Sequence, residues 1–183
     1  MAFLQSIADF GRVYALLPYQ EPKMPFNPYF IKEPFCVSFS GGRSSGFMLY
    51  QILQAHGGTL PDHGKVIFAN TGKEMPETLD FVQACSDHWG VDITWVEYGG
   101  QVEDGIQKRG RYAGKPKYKE TTRIVDYATA SRAGEPYEVL IRERKMPPSW
   151  RARFCTSALK VHRIHDIMTD IGPPGIADRR HPW

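Results

Sequence analysis

A chain of 183 residues with 42% hydrophobic content can bury one ordinary core, and its length alone calls for a single domain. A formal net charge of +3 suits an anionic ligand and falls far short of a strongly cationic nucleic-acid tail. Three cysteines far apart in sequence, Cys36, Cys85 and Cys155, argue against a secreted disulfide framework. No signal-like N-terminus and no run of about twenty apolar residues points to export or a membrane, so the expected location is the cytoplasm.

Residues 1–34 place Phe3, Leu4, Ile7, Phe10 and Val13 at roughly helical spacing, followed by Pro18, Pro22, Pro25, Pro28 and Pro34. This predicts a short helix and a Pro-rich arm. From residue 35 strands and helices alternate: a strand over 35–39, a helix over 44–56, a strand over 65–69, a helix over 76–89 opened by Pro76, and a strand over 93–97. Such alternation implies a parallel sheet with helices on both faces, a Rossmann-like three-layer α/β/α domain over 35–171. Residues 99–123 leave this pattern, with seven Lys/Arg against three acids, and read as a mobile loop or insertion. A fourth strand is expected near 137–141 or not at all. A last helix over 156–171 follows from Leu159, Ile164, Ile167, Met168 and Ile171, with Lys160, Arg163 and Asp166 on its other side. Residues 172–183 read as a loosely packed tail.

The most informative stretch is Phe35-Cys-Val-Ser-Phe-Ser-Gly-Gly-Arg-Ser-Ser-Gly46. An apolar strand breaks at two glycines and flows into a helix, an arrangement that turns successive amide hydrogens and a helix dipole towards an anion. Ser38, Ser40, Gly41, Gly42, Arg43, Ser44 and Ser45 are therefore candidate phosphate-binding residues. The spacing matches neither the usual P-loop nor the Gly-x-Gly-x-x-Gly dinucleotide fingerprint. In parallel sheets ligands sit beyond the carboxyl ends of the strands, which brings in Asn70, Thr71 and Gly72 after the second strand. Lys73 reads either as phosphate-directed or as simply exposed. Glu74 and Glu77 read either as ribose or metal contacts or as carboxylates favouring the helix N-terminus at Pro76. His162 and His165 share a helical face but lack the further ligands of a metal site.

Three segments, Val37-Ser-Phe-Ser-Gly-Gly-Arg-Ser-Ser45, Val66-Ile-Phe-Ala-Asn-Thr-Gly-Lys-Glu74 and Arg153-Phe-Cys-Thr-Ser-Ala-Leu-Lys160, resemble in order and spacing the phosphoadenosine phosphosulfate (PAPS) reductase-like proteins. These belong to the PP-loop, adenine nucleotide alpha-hydrolase superfamily, and Val125-Asp-Tyr-Ala-Thr-Ala-Ser-Arg-Ala-Gly-Glu-Pro136 resembles their phage and mobile-element branch, which would place the protein in a host cytoplasm. The resemblance covers about residues 35–165. It implies ATP or PAPS as ligand, with Mg2+ as a companion of the phosphates. The Ser40–Ser45 loop would hold phosphates or sulfate, and the backbone near Asn70 and Thr71 would lie by the adenosine. Ser45, Arg153, Cys155 and Lys160 are the catalytic candidates, the two cations as anion ligands.

The departures from the family pattern are equally specific. Ser44 stands where the PP-loop motif has aspartate, a four-cysteine iron–sulfur site cannot be built from three scattered cysteines, and the sequence from 172 to Trp183 holds no cysteine. The expected chemistry is therefore cleavage at the ATP alpha-phosphate, adenylating an acceptor with release of pyrophosphate. Thiol-dependent PAPS reduction and a non-catalytic nucleotide-binding module are the competing readings. A nucleic-acid-modification subunit is a further one, hinted at by the basic stretch with Tyr112 and Tyr118. The acceptor is left unnamed, and a homo-oligomer is left open.

Overall fold

A computed structural model of the chain describes residues 27–149 and 151–171. The expected N-terminal helix, most of the Pro-rich arm and the tail lie outside them. Four strands, β1 (Phe35–Phe39), β2 (Gly64–Ala69), β3 (Ile93–Ile106) and β4 (Pro116–Val125), form one sheet in that order. β1, β2 and β3 are parallel, with Phe39 opposite Phe68 and Ala69 opposite Val96. β4 runs antiparallel to β3 at the edge.

The period-2 alternation of the strands assigns each face its cover. Val37, Phe39, Val66, Phe68, Ile93 and Trp95 point to one side, where Leu49, Ile52 and Leu53 of α1 (Arg43–Ala55) and Leu79, Val82 and Cys85 of α2 (Pro76–Trp89) close the main core. Ile67, Ala69 and Val96 point to the other side and meet Ile167 and Met168 of α5 (His162–Ile171). The result is the expected three-layer α/β/α domain with a mostly parallel sheet. α2 starts and stops where its sequence says it should: Pro76 fits the first turn because its missing N–H has no intrahelical partner there, and Gly90 closes the helix in the left-handed conformation.

Three expectations need correcting. Residues 99–123 are not an irregular loop. They are the distal half of β3, a tight basic turn and most of β4, a twisted ribbon with register shifts at Tyr98/Gly100 and Glu103/Ile106. The fourth strand is accordingly Pro116–Val125, while residues 137–141 lie inside α3 (Glu135–Arg144), which Pro136 opens and Leu140 anchors in the interior. The last helical segment starts earlier, as a short α4 (Phe154–Thr156) running through a π turn at Ser157–Val161 into α5.

The start of the described chain is sewn to the domain by two histidines. Ile31 N–H donates to Nε2 of His56 at 3.2 Å, and His63 Nε2 donates to the Ile31 carbonyl at 3.0 Å, with Phe30 stacked on His56. Among the described residues no helix is long and apolar enough to cross a membrane.

Candidate functional site

β1 ends in the buried Phe39, and the chain then turns sharply over α2. Gly41 takes φ +71°, and a Cβ there would sit 2.6 Å from Thr78 Cγ2 and 3.1 Å from Val82 Cγ2. Its lack of a side chain serves both the turn and the close approach to α2. Gly42 is different. It is extended, at φ −98°, caps α1, and a Cβ there would meet only Ser40 Oγ at 3.6 Å. The first helical backbone bond is Gly46 N–H to the Gly42 carbonyl, so the amides of Arg43, Ser44 and Ser45 have no partner within the helix. No acidic residue stands in the first turn of α1. These donors make the head of α1 a candidate anion cradle, and Ser38, Ser40, Arg43 and Ser44 beside it are exposed.

Ser45 has another task. Its buried hydroxyl donates to the Gly42 carbonyl at 2.8 Å and accepts from Ser40 Oγ at 3.0 Å and from Ser40 N–H at 3.3 Å. It holds the loop shut from inside, while Ser44 faces solvent.

The loop after β2 lies beside the first, because β1 and β2 are neighbours. Asn70 is fully buried. Its amide donates to Glu97 Oε1 at 2.7 Å and to the Ser131 carbonyl at 2.9 Å, and its oxygen accepts from Gly72 N–H at 3.0 Å. Glu97, also fully buried, gathers Asn70, the Ser131 N–H at 2.7 Å, the Ser131 hydroxyl at 2.9 Å and Arg123 Nη2 at 2.6 Å. This carboxylate fastens the second loop, β3, β4 and the segment leading to α3 to one another. Gly72, at φ +75°, packs so closely that a Cβ would lie 2.7 Å from Pro136 Cδ. Lys73 donates to the Ala133 carbonyl at 2.9 Å, so its ammonium ties two loops together.

The third segment joins at Lys160, whose ammonium stands 3.4 Å from Glu74 Oε1; that oxygen also accepts from Thr71 Oγ1 at 3.0 Å. Lys160 therefore reaches the ligand edge through the second loop. Arg153 is exposed just before α4. Cys155 faces elsewhere, packed with Tyr137, Val139 and Phe154 against Tyr98, Leu140, Ala158 and Leu159. Burial pushes the Cys36 thiol up to about 11 and the Cys85 thiol up to about 12. The three thiols belong to three separate packing clusters.

Glu77 is exposed in the first turn of α2, and His162 pairs with Glu120 at 3.1 Å, facing the ribbon. Among the described residues no group of three or more His, Cys, Asp or Glu side chains is placed to hold a metal ion.

Glu97, Ser131 and Arg123 are the residues that sequence reasoning missed. A signal was present: Glu97 lies in phase with the inward-facing Ile93 and Trp95, and period-2 alternation places its carboxylate inside, where it needs several donors.

Both loops lie beyond the carboxyl ends of parallel strands, the edge at which open α/β sheets take their ligands. The family model for the phosphoadenosine phosphosulfate reductase domain matches residues 34–165, and the chain belongs to that family, whose enzymes take nucleotide substrates such as PAPS. It is 30% identical over 125 residues to an uncharacterised nin region protein of Escherichia phage lambda, an alignment covering 68% of this chain and 39% of that protein. It is also 40% identical over 63 residues to an uncharacterised protein of Methanocaldococcus jannaschii, covering 34% of this chain and 12% of that one. The chain therefore spans less than half the length of either relative. No solved structure gives a significant match.

Proposed function

We propose that the Ser40–Ser45 loop binds the phosphates of ATP and that the protein cleaves at the alpha-phosphate. An acceptor oxygen attacks the alpha phosphorus, the bond to the bridging oxygen breaks, and pyrophosphate leaves with the electron pair while the acceptor's proton passes to solvent. The observation that carries this reading is the open cradle at Gly42, where helix N-terminal amides meet no competing carboxylate. Such preorganised donors stabilise charge that develops on phosphate oxygens. The loop also lacks the Lys-Ser/Thr pair that serves gamma-phosphate transfer in ordinary P-loops.

Thiol-dependent PAPS reduction fits the residues less well. Cys36 and Cys85 are held protonated by burial and packed in clusters apart from Cys155, so neither is poised to resolve an intermediate on Cys155. Product analysis tests the proposal. Incubation with ATP should yield AMP and pyrophosphate, whereas ADP and phosphate would refute alpha-phosphate cleavage. Sulfite released from PAPS in a Cys155-dependent manner would restore the reductase reading. Retained ATP binding without turnover would leave a binding module.

A further inference from the structure

β3 runs parallel to β1 and β2, and its last partner on β2 is Ala69, opposite Val96. The strand nevertheless continues to Ile106, paired with β4 alone. Its distal half therefore rises from the carboxyl edge of the sheet, the edge that carries both candidate ligand loops. Val102–Ile106 alone adds ~17 Å of strand, topped by a turn closed by Gln107 N–H to the Lys115 carbonyl and Gly114 N–H to the Gln107 carbonyl.

The base of this ribbon is held firmly. Glu143 of α3 accepts from the Tyr98 hydroxyl and from Gln101 N–H at 2.7 Å. Arg163 of α5, itself buried, donates to the Thr121 carbonyl and to Glu120 and stacks over the Tyr98 ring at 5.2 Å. The tip is the reverse. Residues 105–119 contain Lys108, Arg109, Arg111, Lys115, Lys117 and Lys119 and no acid. Lys117 reaches back to Asp104 at 2.6 Å. Tyr112 and Tyr118 stand out at 52% and 57% exposure, with Lys115 over the Tyr112 ring at 5.5 Å. A free two-stranded ribbon is marginal in water, so a rigid mount under an exposed, cationic, aromatic tip points to a use for the tip.

We infer that the β3–β4 ribbon is a docking arm for single-stranded nucleic acid and holds the acceptor strand beside the nucleotide; the second clause rests on the proposed function above. The cations match a phosphate backbone, and exposed tyrosine rings offer platforms on which unpaired bases stack. An anionic membrane or an acidic protein would also match the charge, but rings interleaved with cations fit the alternating bases and phosphates of a single strand. Base atoms can receive a transferred group only when they are out of a duplex, which favours a single strand.

The test is fluorescence anisotropy of the full chain with labelled 12-nucleotide single strands of DNA and RNA, from about 50 to 200 mM salt. Affinity should fall linearly in log salt with a slope of about −0.7 per phosphate contact, and changing Lys108, Arg109, Arg111 and Lys115 together to Ser should shrink that slope by about three. Tyr118→Ala should weaken binding about tenfold at unchanged slope, because stacking is not ionic. ATP affinity by calorimetry should be the same in every ribbon variant. No binding at 50 mM salt, an unchanged slope in the fourfold variant, or a duplex bound as well as the single strand overturns the arm. So does a Tyr118→Ala protein equal to the parent. A parent that binds the oligonucleotide but not ATP would sink the nucleotide reading and leave the arm standing.

Discussion

The loops after β1 and β2 leave neighbouring strands on one edge of the sheet, yet their polar atoms are used in opposite ways. In the second loop the side chain of Asn70 uses both donors and its acceptor inside the protein, and Glu97 behind it collects four hydrogen bonds. In the first loop Ser45 is turned inward, and the amides at the head of α1 have no helical partner and no acidic residue in the first turn. Buried polar groups must be paired, so a satisfied loop is a fixed wall, while donors left at a solvent-facing helix end can answer an anion.

The contrast is most sharply broken at Glu97. Replacing it with Ala leaves Asn70 Nδ2 and both donors of Ser131 without their acceptor in the interior, whereas Arg123, more than half exposed, returns to water. The expected loss is about 4 kcal/mol in urea unfolding, since orphaned buried donors bear the full desolvation cost. Glu97→Gln keeps one acceptor oxygen and should lose about half as much. An Ala variant as stable as the parent would show that the second loop is not held by this carboxylate.

The two adjacent glycines separate folding from binding. Gly41→Val forces a β-branched residue into left-handed φ and into Thr78, for an expected loss of about 3 kcal/mol. Gly42→Val fits the observed extended backbone, and its Cβ meets only Ser40 Oγ at ordinary contact distance, so its stability cost should stay at ~1 kcal/mol, the weak cap included. Its new methyl groups would stand where a phosphate approaches, and ATP affinity in calorimetry should fall at least tenfold, roughly 1.4 kcal/mol. Unchanged affinity in a folded Gly42→Val protein would move the phosphate site away from this loop.

Much of this architecture is legible in the residues because it is local. The alternation of Phe35–Phe39, the continuous apolar run ending at Ala69 and the Pro76 to Gly90 bracket of α2 each carry their own signal, and they agree with the fold. The Ser-Gly-Gly turn was readable for the same reason. The ribbon was not, since Lys, Gly and Tyr on two exposed strands show no alternation when neither face is buried. Residues 137–141 misled in the other direction: Tyr-Glu-Val-Leu-Ile reads as strand, and only the contact of Leu140 with Tyr98 and Leu159 shows why a helix with one buried stripe wins. The role of Asn70 as a fastener depends on Glu97 and Ser131, 27 and 61 positions away, separations that no local pattern encodes.

Lys160 offers the finest test, because it joins the ligand edge through Glu74 beside the second loop. Its pair with Glu74 is 41% exposed on the lysine side, and such pairs contribute about 0.5 kcal/mol or less to stability. Lys160→Met should therefore leave the unfolding midpoint almost unmoved. If the ammonium swings from Glu74 to a bound phosphate, the same substitution should weaken ATP binding about fivefold, by the ~1 kcal/mol of a partly screened charge contact. Raising the salt should shrink the difference between parent and variant, since an exposed charge is screened within about 10 Å at 0.1 M. Glu74→Gln provides the opposite sign: freeing Lys160 from its carboxylate should strengthen ATP binding slightly. Equal affinities in all three proteins would confine the anion site to the first loop and leave Lys160 as a surface partner of Glu74.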